Sequence, residues 1–210
     1  MRWRGTALCV GLMIVVALAA FSHVTRGFSA VTSDGVRRVD LEQSPRTLPS
    51  LPLVDQDGTV FSLADYGAHS SYTTIVSLVY THCMTVCTTA ASGQAFLQQE
   101  IKARGLGARL RLLTLSFDPV RDSPSALSRY ADSLGADSAL WRMATVVHRR
   151  DLAEMLAPFG IVLIPDGLGG YSHNAALFVI DEQGRLSRAY DVDRPDLALA
   201  DYLHTRKAVR

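Results

Sequence analysis

The stretch Ser77-Leu-Val-Tyr-Thr-His-Cys-Met-Thr-Val-Cys-Thr88 decides the fold of this chain. The run from Thr74 to Tyr80 is apolar and rich in β-branched residues, which is typical of a buried strand. It leads directly into two cysteines four residues apart, Cys83 and Cys87, and then into a helix-forming segment. The sequence therefore predicts a strand, a short turn and a helix that opens with two thiols.

A second apolar run, from Arg109 to Phe117, predicts another buried strand. It follows the first by about thirty residues, which is the spacing of a βαβ unit with parallel strands and a right-handed crossover. Asp57-Gly58 lies between two alternating runs and predicts an N-terminal β-hairpin. Two further strands, 175–180 and 186–190, predict a second hairpin. Helices are predicted at 89–104, 124–134, 148–159 and 196–207.

The position of the thiol pair points to one fold class. Two cysteines at a strand-to-helix junction inside a βαβ unit are the arrangement of thioredoxin-like proteins, although the spacing here is C-x₃-C and not C-x₂-C. We therefore expect an α/β protein, with a thioredoxin-like mixed sheet flanked by helices and an N-terminal β-hairpin.

Residues 1–27 have the layout of a signal peptide or membrane anchor. Arg2 and Arg4 precede an uncharged stretch, Gly5 to Thr25, that is long enough to cross a bilayer. We favour an uncleaved anchor, with the rest of the chain on the exported, periplasmic side of a bacterial inner (cytoplasmic) membrane. Residues 28–47 are polar and are interpreted as a linker, and residues 48–210 as the folded domain.

Composition excludes several classes of protein. The net charge of the 210 residues is +1, which gives no reason to expect a nucleic-acid partner. The chain has three cysteines, and Cys9 lies in the apolar N-terminal stretch, where we interpret it as an inert membrane residue. A scaffold held together by several disulfides is therefore excluded, and the informative pair is Cys83 and Cys87.

The cysteine pair has two functional interpretations. It could be a dithiol/disulfide redox centre, in which case Cys83 and Cys87 are the catalytic residues of a thiol–disulfide oxidoreductase, or it could supply two thiolate ligands to a soft metal ion. The positive end of the helix dipole is expected to favour thiolates in both cases. The spacing does not separate the two interpretations, because a disulfide at this separation needs only modest adjustment. A thioredoxin-fold peroxidase is a weaker alternative, since its characteristic threonine-containing motif is missing.

A third soft or borderline ligand would favour the metal interpretation, and His173 is the candidate. It lies in Gly169-Gly-Tyr-Ser-His-Asn174, a segment interpreted as a loop leading into a strand. The competing histidines are His69, His82, His148 and His204. Composition and spacing do not choose among them.

Three motifs together resemble one known family. They are Tyr80-Thr-His-Cys-Met-Thr-Val-Cys, Leu115-Ser-Phe-Asp-Pro-Val-Arg-Asp-Ser-Pro and Tyr171-Ser-His-Asn-Ala-Ala-Leu-Phe-Val-Ile-Asp-Glu-Gln-Gly. In this order and spacing they are similar to the SCO/SenC family, whose members are membrane-anchored copper chaperones with a thioredoxin-like fold that help to assemble cytochrome c oxidase. The resemblance covers roughly Leu48 to Leu203.

The resemblance implies a copper site and a set of partners. The copper ligands would be Cys83, Cys87 and His173, binding Cu(I) with Cu(II) left open, and Asp118 would lie near the metal as a supporting residue. The partners would be the oxidase subunit that carries the CuA site and an upstream copper donor or thiol reductant. The chain departs from the family pattern at Met84, Thr85 and Thr88, and Met84 adds a thioether that could act as an auxiliary ligand.

On this interpretation the protein is a metallochaperone and not an enzyme, with thiol–disulfide oxidoreductase activity as the alternative. Metal binding requires both cysteines to be reduced and deprotonated, so a disulfide would abolish the site. We therefore expect the oxidation state of the pair to control copper loading.

Overall fold

The computed structural model describes residues 2–66, 72–83, 86–167 and 169–208. The strands are β1 (Arg46–Thr47), β2 (Pro52–Asp55), β3 (Val60–Ser62), β4 (Thr73–Val79), β5 (Leu110–Ser116), β6 (Trp141–Val146), β7 (Leu163–Pro165), β8 (Tyr171–His173), β9 (Leu177–Ile180) and β10 (Arg185–Tyr190). The helices are α1 (Arg2–Val24), α2 (Ser33–Gln43), α3 (Val86–Ala103), α4 (Pro124–Leu134), α5 (Leu152–Leu156) and α6 (Pro195–Ala208). His69, Met84 and Thr85, which the sequence analysis discussed, lie outside the described residues.

Most of the strands form one mixed sheet, called the main sheet below. Over the described ranges its order is β1-β10-β9-β4-β5-β6-β2-β3, while β7 and β8 pair with each other as a separate hairpin. Strands β4, β5 and β6 are parallel, and β9 joins β4 in the antiparallel direction. The predicted βαβ unit and the N-terminal β2–β3 hairpin are therefore confirmed.

The core is densest where the parallel strands meet the helices. Every residue of β4 is buried, as expected for a strand with neighbours on both sides and cover on both faces. On one face, side chains of α3, α4 and α6 pack with strand residues around Ile75 and Trp141 in one hydrophobic cluster. On the other face, Phe159 packs on Phe178 of β9, with ring centroids 5.1 Å apart. Burial of this apolar surface is the main source of stability for the domain.

Helix α4 has the ends that its sequence predicts. Ser123 caps the N-terminus by accepting the Ala126 N–H, and Pro124 occupies the first helical position. Gly135 ends the helix in the left-handed conformation, with φ of 62°. The loop before α4 is thereby held in a defined place, which matters because it contains Asp118 and Asp122.

Two helical segments away from the cysteine pair differ from the sequence predictions. The helix expected over 148–159 is divided into the 3₁₀ turn Arg149–Asp151, the short helix α5 and the 3₁₀ turn Ala157–Phe159. Pro158 has no amide hydrogen and cannot continue an α-helical ladder. In the segment interpreted as a linker, α2 forms, and Thr32 Oγ1 accepts the Gly35 N–H (3.0 Å) as an N-terminal cap.

The chain divides into two compact units, Met1–Gln43 and Ser44–Arg210. Within the first unit, Gly5–Val24 has a mean hydropathy of 2.4 and is long and apolar enough to cross a membrane, judged by length and composition. Arg26 follows α1 and forms an ion pair with Asp40 of α2 (2.5 Å). The second unit contains the main sheet, the β7–β8 hairpin and both cysteines of the C-x₃-C motif.

Candidate metal centre

The two sulfur atoms of the motif lie at the carboxyl end of β4. Cys83 is half-buried in the turn after the strand, where its N–H donates to the Tyr80 carbonyl (3.2 Å). Cys87 lies in the first turn of α3 and is 1% exposed. Helix α3 begins at Val86, three residues earlier than predicted, so Cys87 is helical and Cys83 precedes the helix. All three cysteines of the chain are thiols.

A buried carboxylate holds the turn that carries Cys83. Asp122 is 0% exposed and accepts hydrogen bonds from the Thr81 N–H (3.0 Å), the Thr81 hydroxyl and the Ser116 hydroxyl. The exposed ring of His82 lies 3.9 Å from the same carboxylate. Such charge-assisted bonds fix the backbone next to Cys83 more firmly than neutral ones would.

The imidazole of His173 reaches the centre from the β7–β8 hairpin. The prediction placed this residue in a loop, whereas it is the last residue of β8, opposite Leu163 of β7. Its Nδ1 is 3.0 Å from the Asn174 carbonyl oxygen. Because a carbonyl only accepts, Nδ1 must carry the hydrogen, and in the neutral ring Nε2 presents a lone pair.

These three side chains converge on one point. The Cys83 and Cys87 sulfurs and a ring nitrogen of His173 all lie within 4.8 Å of one another. Cys87 Sγ is 3.8 Å from His173 Nε2, so the Cys87 thiol faces the ring lone pair. His82, His148 and His204 are not members of this group, which was sought over the described part of the chain. The structure thus brings together the three residues that the sequence analysis singled out as ligands.

The ionisation of Cys87 differs from the expectation based on the helix end. Burial raises the pKa of the Cys87 thiol far above its usual value, and the hydrogen bond with the Cys83 thiol raises it further. Desolvation of a thiolate therefore outweighs the favourable helix dipole at this position. A metal ion that binds Cys87 must therefore displace the thiol proton.

Asp118 is not a member of the converging group formed by the Cys83, Cys87 and His173 side chains. It is buried, its N–H donates to Ser116 Oγ (3.0 Å), and its carboxylate forms an ion pair with Arg121. The Arg121 guanidinium in turn lies over the Tyr80 ring, 5.9 Å from its centroid. The acid that supports the Cys83 turn directly is Asp122, which the sequence analysis did not single out although it lies in the same quoted motif.

The donor set has a clear chemical preference. Two thiolates and one imidazole suit a soft ion such as Cu(I), which accepts three ligands. A structural zinc site would require a fourth protein ligand, and the group of potential ligands found over the described ranges has three members. The arrangement can also close into a disulfide, because the two thiols are neighbours.

Comparison with known proteins identifies a family whose members resemble this chain. The model of the SCO1/SenC family matches residues 39–207. A relative from Bacillus subtilis (strain 168), "SCO1 protein homolog", is 24% identical over 119 residues, which are 56% of this chain and 61% of that protein. The match therefore spans less than two thirds of the relative's length.

Solved structures share the fold. ScoI of Bradyrhizobium japonicum, determined with copper bound, has a TM-score of 0.59 and 22% identity, with 74% of this chain and 96% of that chain covered. BsSco, described with a disulfide switch and as a member of the Sco family of cytochrome c oxidase assembly proteins, has a TM-score of 0.64 and 20% identity, with 75% and 92% covered. These likenesses confirm the predicted thioredoxin-like fold, and the match over residues 39–207 confirms the resemblance seen in the three motifs. The chain belongs to the SCO1/SenC family.

Proposed function

We propose that this protein is a copper metallochaperone that binds copper through Cys83, Cys87 and His173 and delivers it to, or prepares, the CuA site of a respiratory cytochrome c oxidase. The observation that carries the proposal is the convergence of two sulfurs and one ring nitrogen within 4.8 Å. Copper bound to ScoI and the assignment of BsSco to oxidase assembly proteins support it by relationship.

The geometry suits a carrier better than a permanent site. Cu(I) would be satisfied by the three donors, with Nε2 of His173 already presenting its lone pair. Cys83 is half-buried while Cys87 is buried, so one ligand remains accessible to an incoming group. A partner's thiol or thioether could therefore approach the ion from the Cys83 side and exchange with it stepwise.

The proposal extends to the setting of the protein. The apolar helix α1 would serve as the anchor, with the second unit exported to the periplasmic side of the inner membrane. The partners would be the CuA-bearing subunit of the oxidase and an upstream copper donor or thiol reductant. Asp118 would support the site through Arg121 and not as a ligand.

The second candidate function is thiol–disulfide exchange. It is favoured by the proximity of the two thiols, whose sulfurs lie within 4.8 Å of each other. A partner's disulfide would oxidise the pair: one S–S bond forms between Cys83 and Cys87, the partner's S–S bond is reduced to two thiols by the two electrons and two protons, and the metal site is lost. Titration of the fully oxidised protein with Cu(I) tests whether the oxidation state of the cysteine pair controls copper binding. Binding as strong as that of the reduced form would rule it out.

Metal analysis of the reduced protein, loaded with Cu(I) under anaerobic conditions, tests the main proposal. We expect one copper per chain in the unmodified protein and loss of tight binding in Cys83→Ala, Cys87→Ala and His173→Ala. His173→Ala also separates the two functions, because it should lose copper and keep disulfide exchange. Unchanged copper affinity in His173→Ala would favour the redox function.

A further inference from the structure

We propose that Tyr80 is the positioning residue that sets the distance between the two cysteine sulfurs and the His173 ring. The inference rests on the proposed copper function and deepens it. It starts from the fact that the histidine lies outside the main sheet, on the β7–β8 hairpin. A two-stranded ribbon has little stability of its own, so contacts with the rest of the domain must hold it in place.

Tyr80 contacts both halves of the site with different atoms. Its carbonyl accepts the Cys83 N–H (3.2 Å), which closes the cysteine turn. Its hydroxyl accepts the N–H of Tyr171 (3.4 Å), two residues before His173 on β8. One residue at the end of β4 therefore joins the turn that carries a sulfur to the strand that carries the imidazole.

The ring of Tyr80 is itself held on several sides. Its centroid lies 5.3 Å from that of Phe117 and 5.6 Å from that of Tyr171, the latter in an edge-on arrangement. Phe117 also packs against the His173 ring, 4.8 Å between centroids. The Arg121 guanidinium covers the Tyr80 ring. With 6% exposure, Tyr80 has little freedom to move away from the hairpin.

Gly170 shows how closely the hairpin approaches the hydroxyl. A Cβ at this position would lie 2.9 Å from Tyr80 Oη and 2.6 Å from Asp166 Oδ2. Only a residue without a side chain permits this approach, so a substitution would push the hairpin outward. Asp166 is exposed and can move aside, whereas Tyr80, whose ring packs against Phe117 and Tyr171, has little room to do so.

The test compares Tyr80→Phe with Tyr202→Phe. Tyr202 is a matched control: it is 8% exposed, its hydroxyl also makes a 3.4 Å hydrogen bond, to the Arg109 carbonyl, and Arg109 lies before β5, at the opposite end of the strands. Loss of one such bond at the site should weaken Cu(I) binding about three- to tenfold in Tyr80→Phe, measured by competition with a chelator. Tyr202→Phe should bind as the unmodified protein does.

Two further readouts separate positioning from general destabilisation. In the metal-free protein, hydrogen exchange of the Tyr171 amide should become faster in Tyr80→Phe and stay unchanged in Tyr202→Phe. X-ray absorption of the Cu(I) form should show a weaker nitrogen shell and an unchanged sulfur shell in Tyr80→Phe. Gly170→Ala should weaken binding more than Tyr80→Phe, and the double variant should recover part of that loss because the hydroxyl is gone.

The outcomes are distinguishable from those of the main proposal. If the unmodified protein fails to bind Cu(I), the copper function itself is wrong. If it binds and Tyr80→Phe binds equally well, or if Tyr80→Phe and Tyr202→Phe weaken binding to the same extent, the positioning role of Tyr80 is overturned and the copper function stands.

Discussion

The sulfurs and the imidazole come from regions that are built differently. The cysteine turn follows β4, which is buried along its whole length and paired on both sides within the main sheet. In the β7–β8 hairpin each strand has one partner strand, and both Ile164 of β7 (60%) and Val162, which precedes β7 (61%), are exposed. The sulfur positions thus share the stability of the core, while the nitrogen position depends on a few side-chain contacts.

This difference has a consequence for ligand exchange. Opening of the hairpin would withdraw His173 while Cys83 and Cys87 stay in place, and it would not require the domain to unfold. Cooperative core elements open only near the global free energy of unfolding, whereas peripheral ribbons open at lower cost. The following experiments test this difference in stability or define more sharply what the cysteine region contributes.

The largest expected effect comes from truncation in β4. Ile75→Ala removes a fully buried side chain from the main cluster and should lower the free energy of unfolding by about 2–5 kcal/mol. The matched control is Ile164→Ala on β7, where the side chain is mostly exposed, with an expected change within about 0.5 kcal/mol. Urea unfolding measures both. Equal losses would mean that the hairpin belongs to the cooperative core.

The pH dependence of copper binding should be determined by the release of the Cys87 thiol proton. Because burial raises the pKa of Cys87, the metal-free protein keeps that proton, and binding must release it. The apparent Cu(I) affinity should therefore rise with pH by about tenfold per unit between about pH 6 and pH 8 for this proton alone. Chelator competition across this range measures the slope.

Two variants test whether the increase of Cu(I) affinity with pH comes from Cys87. In the weak binding that remains, the pH slope of His173→Ala should keep the contribution of Cys87, whereas that of Cys87→Ala should lose it. A slope that survives in Cys87→Ala without change would show that the proton comes from elsewhere.

Removing the charge that holds the Cys83 turn should have an intermediate effect. Asp122→Asn keeps the shape and weakens bonds from Thr81 and Ser116, so the free energy of unfolding should fall by about 2 kcal/mol. Asp196→Asn is the control, since that carboxylate is 53% exposed and its ion pair with Arg194 contributes little. An unchanged stability of Asp122→Asn would contradict the role given to this carboxylate.

The smallest effect is expected at the base of the hairpin. The Asn174 side chain accepts the Val162 N–H (2.8 Å) and donates to the Gly160 carbonyl (2.9 Å). Asn174→Ala should lower the free energy of hairpin opening by about 1 kcal/mol, seen as faster hydrogen exchange at Val162, and leave β4 amides unaffected. Ser172→Ala, an exposed change on the same hairpin, serves as the control. Faster exchange throughout β4 would show that the two regions open together.

Much of the fold could be predicted because short sequence patterns mark its central strands, turns and helix ends. The apolar run of β4, the Asp57-Gly58 turn and the Ser123-Pro124 cap each carry a short-range signal that the structure confirms. Helix α2 could not be predicted in this way, because its segment is polar and lacks an apolar period. Strands β7 and β8 are three residues each, too short for a periodic pattern to be visible.

The site could be predicted only in part, because some of its residues carry a local sequence signal and others do not. The cysteines stand out by position in the chain, but nothing local marks His173 over the other histidines, and only the family resemblance selected it. The choice between Asp118 and Asp122 depends on which carboxylate the loop turns toward Thr81, and that is a property of the tertiary structure. The burial that raises the pKa of Cys87 is likewise invisible until α3 packs on the sheet.

The hydrogen bond from His173 Nδ1 to the Asn174 carbonyl has one more implication. Its acceptor belongs to the main chain, so replacement of the Asn174 side chain leaves the acceptor in place while the backbone keeps its course. Which of the two ring nitrogens presents a lone pair is therefore independent of the side chain at position 174. Substitutions of Asn174 can therefore change the stability of the hairpin and still leave Nε2 as the ring nitrogen that faces Cys87.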